Sequence, residues 1–118
     1  MIQNIIPEGV HVELEDEVKD YAVNKLGRLD KYLPRNIREV AKADLRLRKQ
    51  PLKNKDSYIC ELELRLPKQS LLVSKGAVSF YAAIDRVEED MKLKITKYKE
   101  THYDAHKRRH DSSRKSPQ

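Results

Sequence analysis

The sequence predicts an α+β fold in two layers, a four-stranded sheet with two helices on one face, and three observations support this prediction. Residues 16–33 and 79–102 repeat apolar residues every three or four positions, as helices with one buried side do. Residues 40–48 and 58–66 alternate apolar and polar side chains, which is typical of strands with one buried face. Two further short apolar segments complete the order β-α-β-β-β-α.

The first strand and the first helix are predicted from the N-terminal third of the chain. Residues 1–6, MIQNII, are apolar enough for a strand, and Pro7, Glu8 and Gly9 are predicted to end it. The helix is predicted over residues 16–33, because acidic residues crowd its start, where the helix dipole favours them, and Pro34 follows its end. Its apolar stripe consists of Val18, Ala22, Leu26, Leu29 and Leu33.

Three consecutive strands are predicted in the middle of the chain. In residues 40–48 the apolar face carries Ala41, Ala43, Leu45 and Leu47, and the polar face carries Lys42, Asp44, Arg46 and Arg48. Residues 58–66 alternate in the same way, and Cys60 occupies one of the apolar positions. We therefore interpret Cys60 as a small buried hydrophobe and not as a nucleophile. A tight turn over residues 67–69 leads to the last strand at 70–75.

The last helix carries its charges in a sorted order. Ser79 is predicted as the N-cap. Four acidic residues come first, Asp85, Glu88, Glu89 and Asp90, and four basic residues follow, Lys92, Lys94, Lys97 and Lys99. A right-handed crossover followed by two hairpins makes the two helices parallel, so that their basic C-terminal ends meet at one rim. Such a rim suits RNA phosphates, but the same charge order also stabilises helices that bind nothing.

Composition limits the classes of function. The net charge is +6, and charged residues make up 37% of the chain, so polyanionic partners are favoured. No apolar run reaches the roughly 18 residues of a membrane span, and no leader peptide is recognisable, so a cytoplasmic protein without membrane contact is predicted. The single cysteine agrees with a reducing compartment. Residues 1–102 are predicted to form one domain, and residues 103–118 a basic, mobile tail.

No constellation of residues points to catalysis, a metal or a cofactor. The three glycines are scattered, so no glycine-rich phosphate loop exists, and no Ser/His/Asp or Cys/His set has supporting context. His102, His106 and His110 recur every four residues, but no cysteine or carboxylate completes a metal site with them. A non-enzymatic protein is therefore predicted, with no metal, no cofactor and no small-molecule substrate.

One run of residues resembles a known family. Residues 80–85, FYAAID, resemble the D-M-Y-A-A-I-D run that opens the last helix of the ribosome hibernation-promoting factors, also called ribosome-associated inhibitors or protein Y. Residues 97–99, KYK, match the end of that helix, and the first helix shares the Lys25-Leu26 pair and the run RLDK at residues 28–31. The resemblance covers residues 1–102, and the family has the element order predicted above.

The resemblance implies a function in translation. It implies a factor that binds the small ribosomal subunit in the decoding channel under stress or in stationary phase. There it blocks messenger and transfer RNA, inhibits translation and preserves idle ribosomes. It also implies contacts to ribosomal RNA from Lys25, Arg28, Lys31 and Lys97, and three further exposed basic residues are candidates: Lys94, Arg46 and Arg48. The chain resembles the short members, which lack the C-terminal domain that pairs ribosomes.

Departures from the family pattern fall on the last helix. Asp90 and Leu93 stand where the family often has basic residues, so the contact of this helix with RNA is less well supported than that of the first. Two other classes of function remain open. One is a general module for double-stranded RNA, whose α-β-β-β-α core has a similar topology. The other is a protein-interaction module whose charges serve solubility. The partner that the protein binds distinguishes these three classes of function.

Overall fold

The sheet and its helices form two layers, and the predicted fold class is confirmed. The computed structural model describes residues 2, 5–50 and 58–102. Within those residues, one sheet contains the strands β1 (Pro7–Val10), β2 (Lys42–Lys49), β3 (Tyr58–Leu66) and β4 (Gln69–Ala77), in that spatial order. The helices are α1 (Asp16–Gly27), a 3-10 segment (Arg28–Tyr32), the one-turn α2 (Arg35–Arg38) and α3 (Phe80–His102). Residues 51–57 and the predicted tail, residues 103–118, lie outside the described residues.

Alternation along the central strands decides which face of the sheet is buried. β1 and β2 are parallel, and β2, β3 and β4 are joined as antiparallel neighbours. Because side chains of a strand point alternately to opposite faces, one apolar set from β2 and β3 turns towards the helices. Leu45, Leu47, Cys60, Leu62 and Leu64 are all 1% exposed or less. The opposite face carries the charged positions, as the sequence predicted.

The prediction of a first strand at residues 1–6 is wrong. β1 covers Pro7–Val10, and residues 2, 5 and 6 lie outside the sheet. β1 lies at the edge of the described sheet and begins at Pro7, a position where the missing N–H of proline is tolerated. Ile2 and Ile5 are buried in the core instead, and the Ile2 N–H donates to the Gly27 carbonyl at 2.9 Å. Ile2 and Ile5 are therefore apolar because they are buried in the core, and not because they pair in the sheet.

Gly9 is part of β1 and does not end the strand. The chain turns back after Val10, and a Cβ atom at Gly9 would lie 2.2 Å from the Val12 carbonyl oxygen. Only glycine permits this close approach of two backbone segments. The glycine that resembled a strand breaker in the sequence is therefore required for the turn out of β1.

The first helix is shorter than the predicted 16–33. α1 ends at Gly27, the next five residues form the 3-10 segment, and Leu33 is extended with φ −96° and ψ 151°. Glycine weakens the helix at this point. The Arg38 Nε donates to the carbonyls of Asp30 at 2.9 Å and Leu33 at 3.0 Å, and the Asp30 carbonyl also accepts from the Leu33 N–H at 2.9 Å. The apolar stripe stays buried, because a turn of three residues keeps Leu29 below Leu26.

The last helix follows the prediction closely. The Ala82 N–H donates to the Ser79 Oγ at 3.1 Å, which confirms the predicted N-cap. Its stripe of Ile84, Val87, Met91 and Ile95 is fully buried, and the hydroxyl of the buried Tyr98 donates to the Pro67 carbonyl at 2.7 Å. No helix in the described part of the chain combines the length and the apolar character needed to cross a membrane.

Candidate nucleic-acid interface

The basic residues are organised by a seam, the line along which α1 and the 3-10 segment contact α3. Three pairs mark it: Tyr21 with Tyr81 at 5.1 Å between ring centroids, Lys25 with Glu88 at 3.8 Å, and Tyr32 with Lys92 at 5.7 Å. Residue numbers increase together on both sides of the seam. The two helices therefore run parallel, and their C-terminal ends lie at the same end of the fold, as the topological argument predicted.

The first half of the seam neutralises Lys25. Its Nζ lies 3.6 Å from the Asp85 Oδ1 and 3.8 Å from the Glu88 Oε1, and these two carboxylates are named here the acidic clamp. The Tyr21 hydroxyl also donates to the Asp85 Oδ1 at 2.6 Å. The carboxylates of Glu88 and Asp85 raise the pKa of Lys25, and the hydrogen bond to Asp85 raises the pKa of Tyr21. Lys25 thus links α1 to α3 through ion pairs, and these pairs compensate its charge within the protein.

The second half of the seam is basic and is not compensated. The Nζ atoms of Lys31 and Lys92 lie 5.2 and 5.7 Å from the centroid of the half-buried Tyr32 ring. Arg28 is exposed one 3-10 turn before Lys31. Among the described residues, no carboxylate oxygen lies within 4.0 Å of the cationic groups of these three side chains. We name Arg28, Lys31, Tyr32 and Lys92 the basic seam cluster.

Lys94 and Lys97 lie on another side of α3. Together with Tyr98 and Thr101 they face the beginning of β4, residues 69–72, across a cavity of about 430 Å³ that we name the edge groove. A separation of two residues on a helix turns side chains by about 200°, so Lys94 cannot share a side with Lys92. The predicted RNA-binding residues of the two helices are therefore divided between the seam and the edge groove.

Arg46 and Arg48 occupy a third location, on the sheet face that points away from the helices. The Arg46 Nη2 lies 2.7 Å from the Glu61 Oε2, and the Arg48 Nη1 lies 3.5 Å from the Glu61 Oε1. These hydrogen bonds, that from Arg46 above all, lower the pKa of Glu61. Arg65 and Asp44 form a further ion pair on the same face. A polyanion that reached Arg46 and Arg48 would have to compete with Glu61.

The sequence argument counted Lys92 among the basic residues of the predicted rim but did not name it as an RNA-binding residue, and it did not place Tyr32 in the site. Lys92 lies four residues after Glu88 and seven after Asp85, and this spacing puts it on the side of α3 that meets α1. That signal was present in the sequence. The position of Tyr32 was not, because it depends on the change from α to 3-10 geometry after Gly27.

The remaining candidates for a reactive or metal-binding role are Cys60 and the three histidines of the last helix and tail. Cys60 is fully buried, and burial raises its pKa to about 12, so its thiol is not a nucleophile near neutral pH. Among the described residues, no group of histidine, cysteine and acidic side chains could hold a metal ion. His102 is 3.0 Å from the Gln69 Oε1, whereas His106 and His110 lie outside the described residues.

Comparison with known proteins identifies the family. The model of the family described as "Sigma 54 modulation protein / S30EA ribosomal protein" matches residues 5–102, which include the whole sheet and all described helices. The chain belongs to this S30EA family. A curated relative, the ribosome hibernation promotion factor of Lactococcus lactis subsp. cremoris strain MG1363, is 29% identical over 93 residues. That match covers 77% of the chain and 46% of the relative, so the chain spans about half the relative's length.

Solved structures of related proteins have the same fold. The N-terminal domain of Thermus thermophilus protein Y superposes with a TM-score of 0.65 at 26% identity, over 83% of this chain and 99% of that domain. A ribosomal subunit interface protein from Coxiella burnetii gives the same TM-score at 17% identity, over 80% and 96% of the two chains, which supports the fold alone. The family resemblance found in residues 80–85 is thereby confirmed.

Proposed function

We propose that this S30EA family member binds the small ribosomal subunit in the decoding channel. There it blocks messenger and transfer RNA, inhibits translation and preserves idle ribosomes under stress or in stationary phase. The match of the family to residues 5–102 carries the proposal, together with the name of the Lactococcus relative, a ribosome hibernation promotion factor. The partner is the subunit with its ribosomal RNA, and the site of action is the cytoplasm.

The proposed mechanism is occlusion without chemistry. A folded domain of about 100 residues fills space that the RNA ligands need, and its basic residues neutralise ribosomal RNA phosphates. Phosphate contacts release bound counterions, so the affinity falls steeply as salt is added, with a slope of about 0.9 per contact in a log–log plot. At about 0.15 M salt each such contact therefore contributes roughly a factor of five relative to 1 M salt.

The candidate RNA contacts differ in how available their charges are. Arg28 and Lys31 are exposed, and no described carboxylate oxygen lies within 4.0 Å of their cationic groups, so they are the primary contacts. Lys94 and Lys97 offer a second, separate surface in the edge groove. Lys25 is held by the acidic clamp. Arg46 and Arg48, held by Glu61, are the least available of the set.

Sedimentation and competition test the function. The chain is expected to cosediment with purified small subunits at about 0.1 M salt and to be released as salt rises. Subunits already loaded with messenger RNA and initiator transfer RNA are expected to exclude it, and it is expected to inhibit translation of a reporter in vitro. Binding that is unaffected by loaded messenger and transfer RNA would contradict occlusion of the decoding channel.

Neutralising substitutions on the 3-10 segment test the proposed contacts with ribosomal RNA. Arg28→Gln with Lys31→Gln is expected to reduce the affinity for the subunit by roughly 30-fold at about 0.15 M salt, from two lost contacts. Glutamine is preferable to charge reversal here, and Lys25 is left unchanged, because Lys25→Glu would add a third carboxylate beside Asp85 and Glu88. A chain that binds any long RNA duplex as tightly as it binds the subunit would instead be a general module for double-stranded RNA.

A further inference from the structure

A phosphate subsite lies in the basic seam cluster, away from the α3 lysines that the sequence favoured. We infer that Lys31 and Lys92, whose ammonium groups both lie near the Tyr32 ring, bind the same stretch of RNA backbone, with Arg28 on a neighbouring phosphate. The inference rests on the proposed function and deepens it, because it names the residue of α3 that contacts RNA. That residue is Lys92, and neither Lys94 nor Lys97 replaces it.

The first argument is the arrangement around Tyr32. The ammonium groups of Lys31 and Lys92 lie 5.2 and 5.7 Å from the same ring centroid, although they belong to segments 61 residues apart in the chain. A cation within about 6 Å of an aromatic face is attracted by the ring quadrupole. The ring therefore contacts two positive charges from distant segments, and no described carboxylate oxygen lies within 4.0 Å of either. An RNA backbone that contacts both lysines also offsets the repulsion between them.

The second argument is the division of charge along the seam. Lys25 shares the seam with Asp85 and Glu88, so the first half of the seam holds one positive and two negative charges. The second half holds Arg28, Lys31 and Lys92, and no described carboxylate lies within 4.0 Å of their cationic groups. Lys99, seven residues after Lys92, extends the same side of α3. A polyanion is therefore drawn to the second half and repelled from the first.

The third argument concerns Asp90 and Leu93. Asp90 lies 3.9 Å from Lys75 and faces β4, and Leu93 is 70% exposed on the outer side of α3. These positions cannot supply positive charge to bound RNA. Lys92 supplies it from the adjoining side, where α3 meets the 3-10 segment. The positive charge of α3 is thus directed along the seam towards Arg28 and Lys31.

Tyr32 acts in this subsite as a positioning residue. Tyr32→Phe keeps the ring and its quadrupole, so affinity is expected to change less than two-fold. Tyr32→Leu keeps an apolar side chain but removes the ring face, so the two lysines are free to separate and affinity is expected to fall by roughly five-fold, the value of one contact. A purely structural role would lower the thermal stability with no difference in salt slope between the two variants.

The decisive experiment compares single lysine variants of the full chain. Lys92→Gln and Lys97→Gln, with Lys42→Gln as a matched control, are titrated against purified small subunits and against a 20-base-pair RNA hairpin over a salt series. Lys42 is exposed on the opposite face of the sheet and loses the same charge. Lys92→Gln alone is expected to lower affinity about five-fold at about 0.15 M salt and to lower the salt slope by ~0.9.

The possible outcomes distinguish a failure of the proposed subsite from a failure of the proposed function. A loss that follows Lys97→Gln and spares Lys92→Gln would place the α3 contact in the edge groove and overturn the inference. Equal losses of affinity for Lys92→Gln and Lys42→Gln would show that only the net charge matters and would also overturn the inference. If the chain binds the hairpin but not the subunit, the proposed function fails, and the subsite is decided on the hairpin. Binding to neither RNA overturns both.

Discussion

Removing the acidic clamp should strengthen binding to the ribosome. The change is the double variant Asp85→Asn with Glu88→Gln, which keeps the shapes of both side chains but removes their charges. Lys25 then lies at the seam with no described carboxylate within 4.0 Å, and the local charge of these three residues changes from −1 to +1. Most substitutions of conserved shape in a binding protein weaken it, so a gain of affinity is a distinctive expectation.

The structure sets the expected size of the loss in stability and of the gain in affinity. The side chains of Lys25, Asp85 and Glu88 are 38%, 48% and 20% exposed, and ion pairs of this exposure contribute about 0.2–1 kcal/mol each. The amide oxygen of the substituted residue 85 can still accept from the Tyr21 hydroxyl, so most of that hydrogen bond remains. The free energy of unfolding should therefore fall by about 1 kcal/mol, and the Tm by roughly 4–8 °C. The released Lys25 should add one phosphate contact, or about five-fold in affinity at 0.15 M salt.

Two measurements and one control decide the matter. Fluorescence titration against small subunits over a salt series gives the affinity and its slope, which should steepen by ~0.9, and thermal unfolding gives the Tm. The control is Glu8→Gln with Glu63→Gln, which likewise removes two negative charges, here from strands β1 and β3, without touching the seam. If the clamp variant binds no more tightly than the control variant, Lys25 is not withheld from RNA by Asp85 and Glu88, and the division of the seam is refuted.

Three further predictions concern the fold. Cys60 should react with a thiol reagent at pH 8 only on unfolding, because its pKa of about 12 leaves almost no thiolate; rapid labelling in native buffer would contradict its burial. Gly9→Ala should lower the free energy of unfolding by about 2–3 kcal/mol in urea titration, since its methyl group would overlap the Val12 carbonyl; an unchanged midpoint would show that this turn relaxes easily. The hydrogen bond from Arg46 lowers the pKa of Glu61, so this pair stabilises the fold while Glu61 is ionised, and its contribution is lost as the pH falls through the lowered pKa. Glu61→Gln should therefore flatten the loss of stability in acid, and parallel curves for the two proteins would refute the linkage.

Regular periodicity made much of the fold predictable. Alternation in residues 58–66 gave β3 its bounds and its buried face, because a strand turns successive side chains to opposite sides whatever its neighbours are. The stripe of α3 and its Ser79 cap depend on residues within one or two turns, so they too follow from the sequence. The run at residues 80–85 carried the family, which the comparison then confirmed.

Other features depended on contacts between distant segments. β1 was misplaced because the burial of Ile2 and Ile5 in the core and the pairing of Pro7–Val10 with β2 leave no local periodic signal in so short a segment. The end of α1 at Gly27 was missed, because both helical geometries keep Leu26 and Leu29 on one side. Local patterns constrain geometry along one element, but they do not show which elements meet.

The sequence by itself determined the class of fold, the faces of β2, β3 and α3, the excess of positive charge and the family. Only the tertiary structure decided which of those charges are available to a partner. Lys25 and Lys92 are both lysines at the seam, yet one lies between two carboxylates and the other lies beside Tyr32. The physical reason is that the field at a lysine depends on groups within a few ångströms in space, and here those groups are 60 or more residues away in the chain.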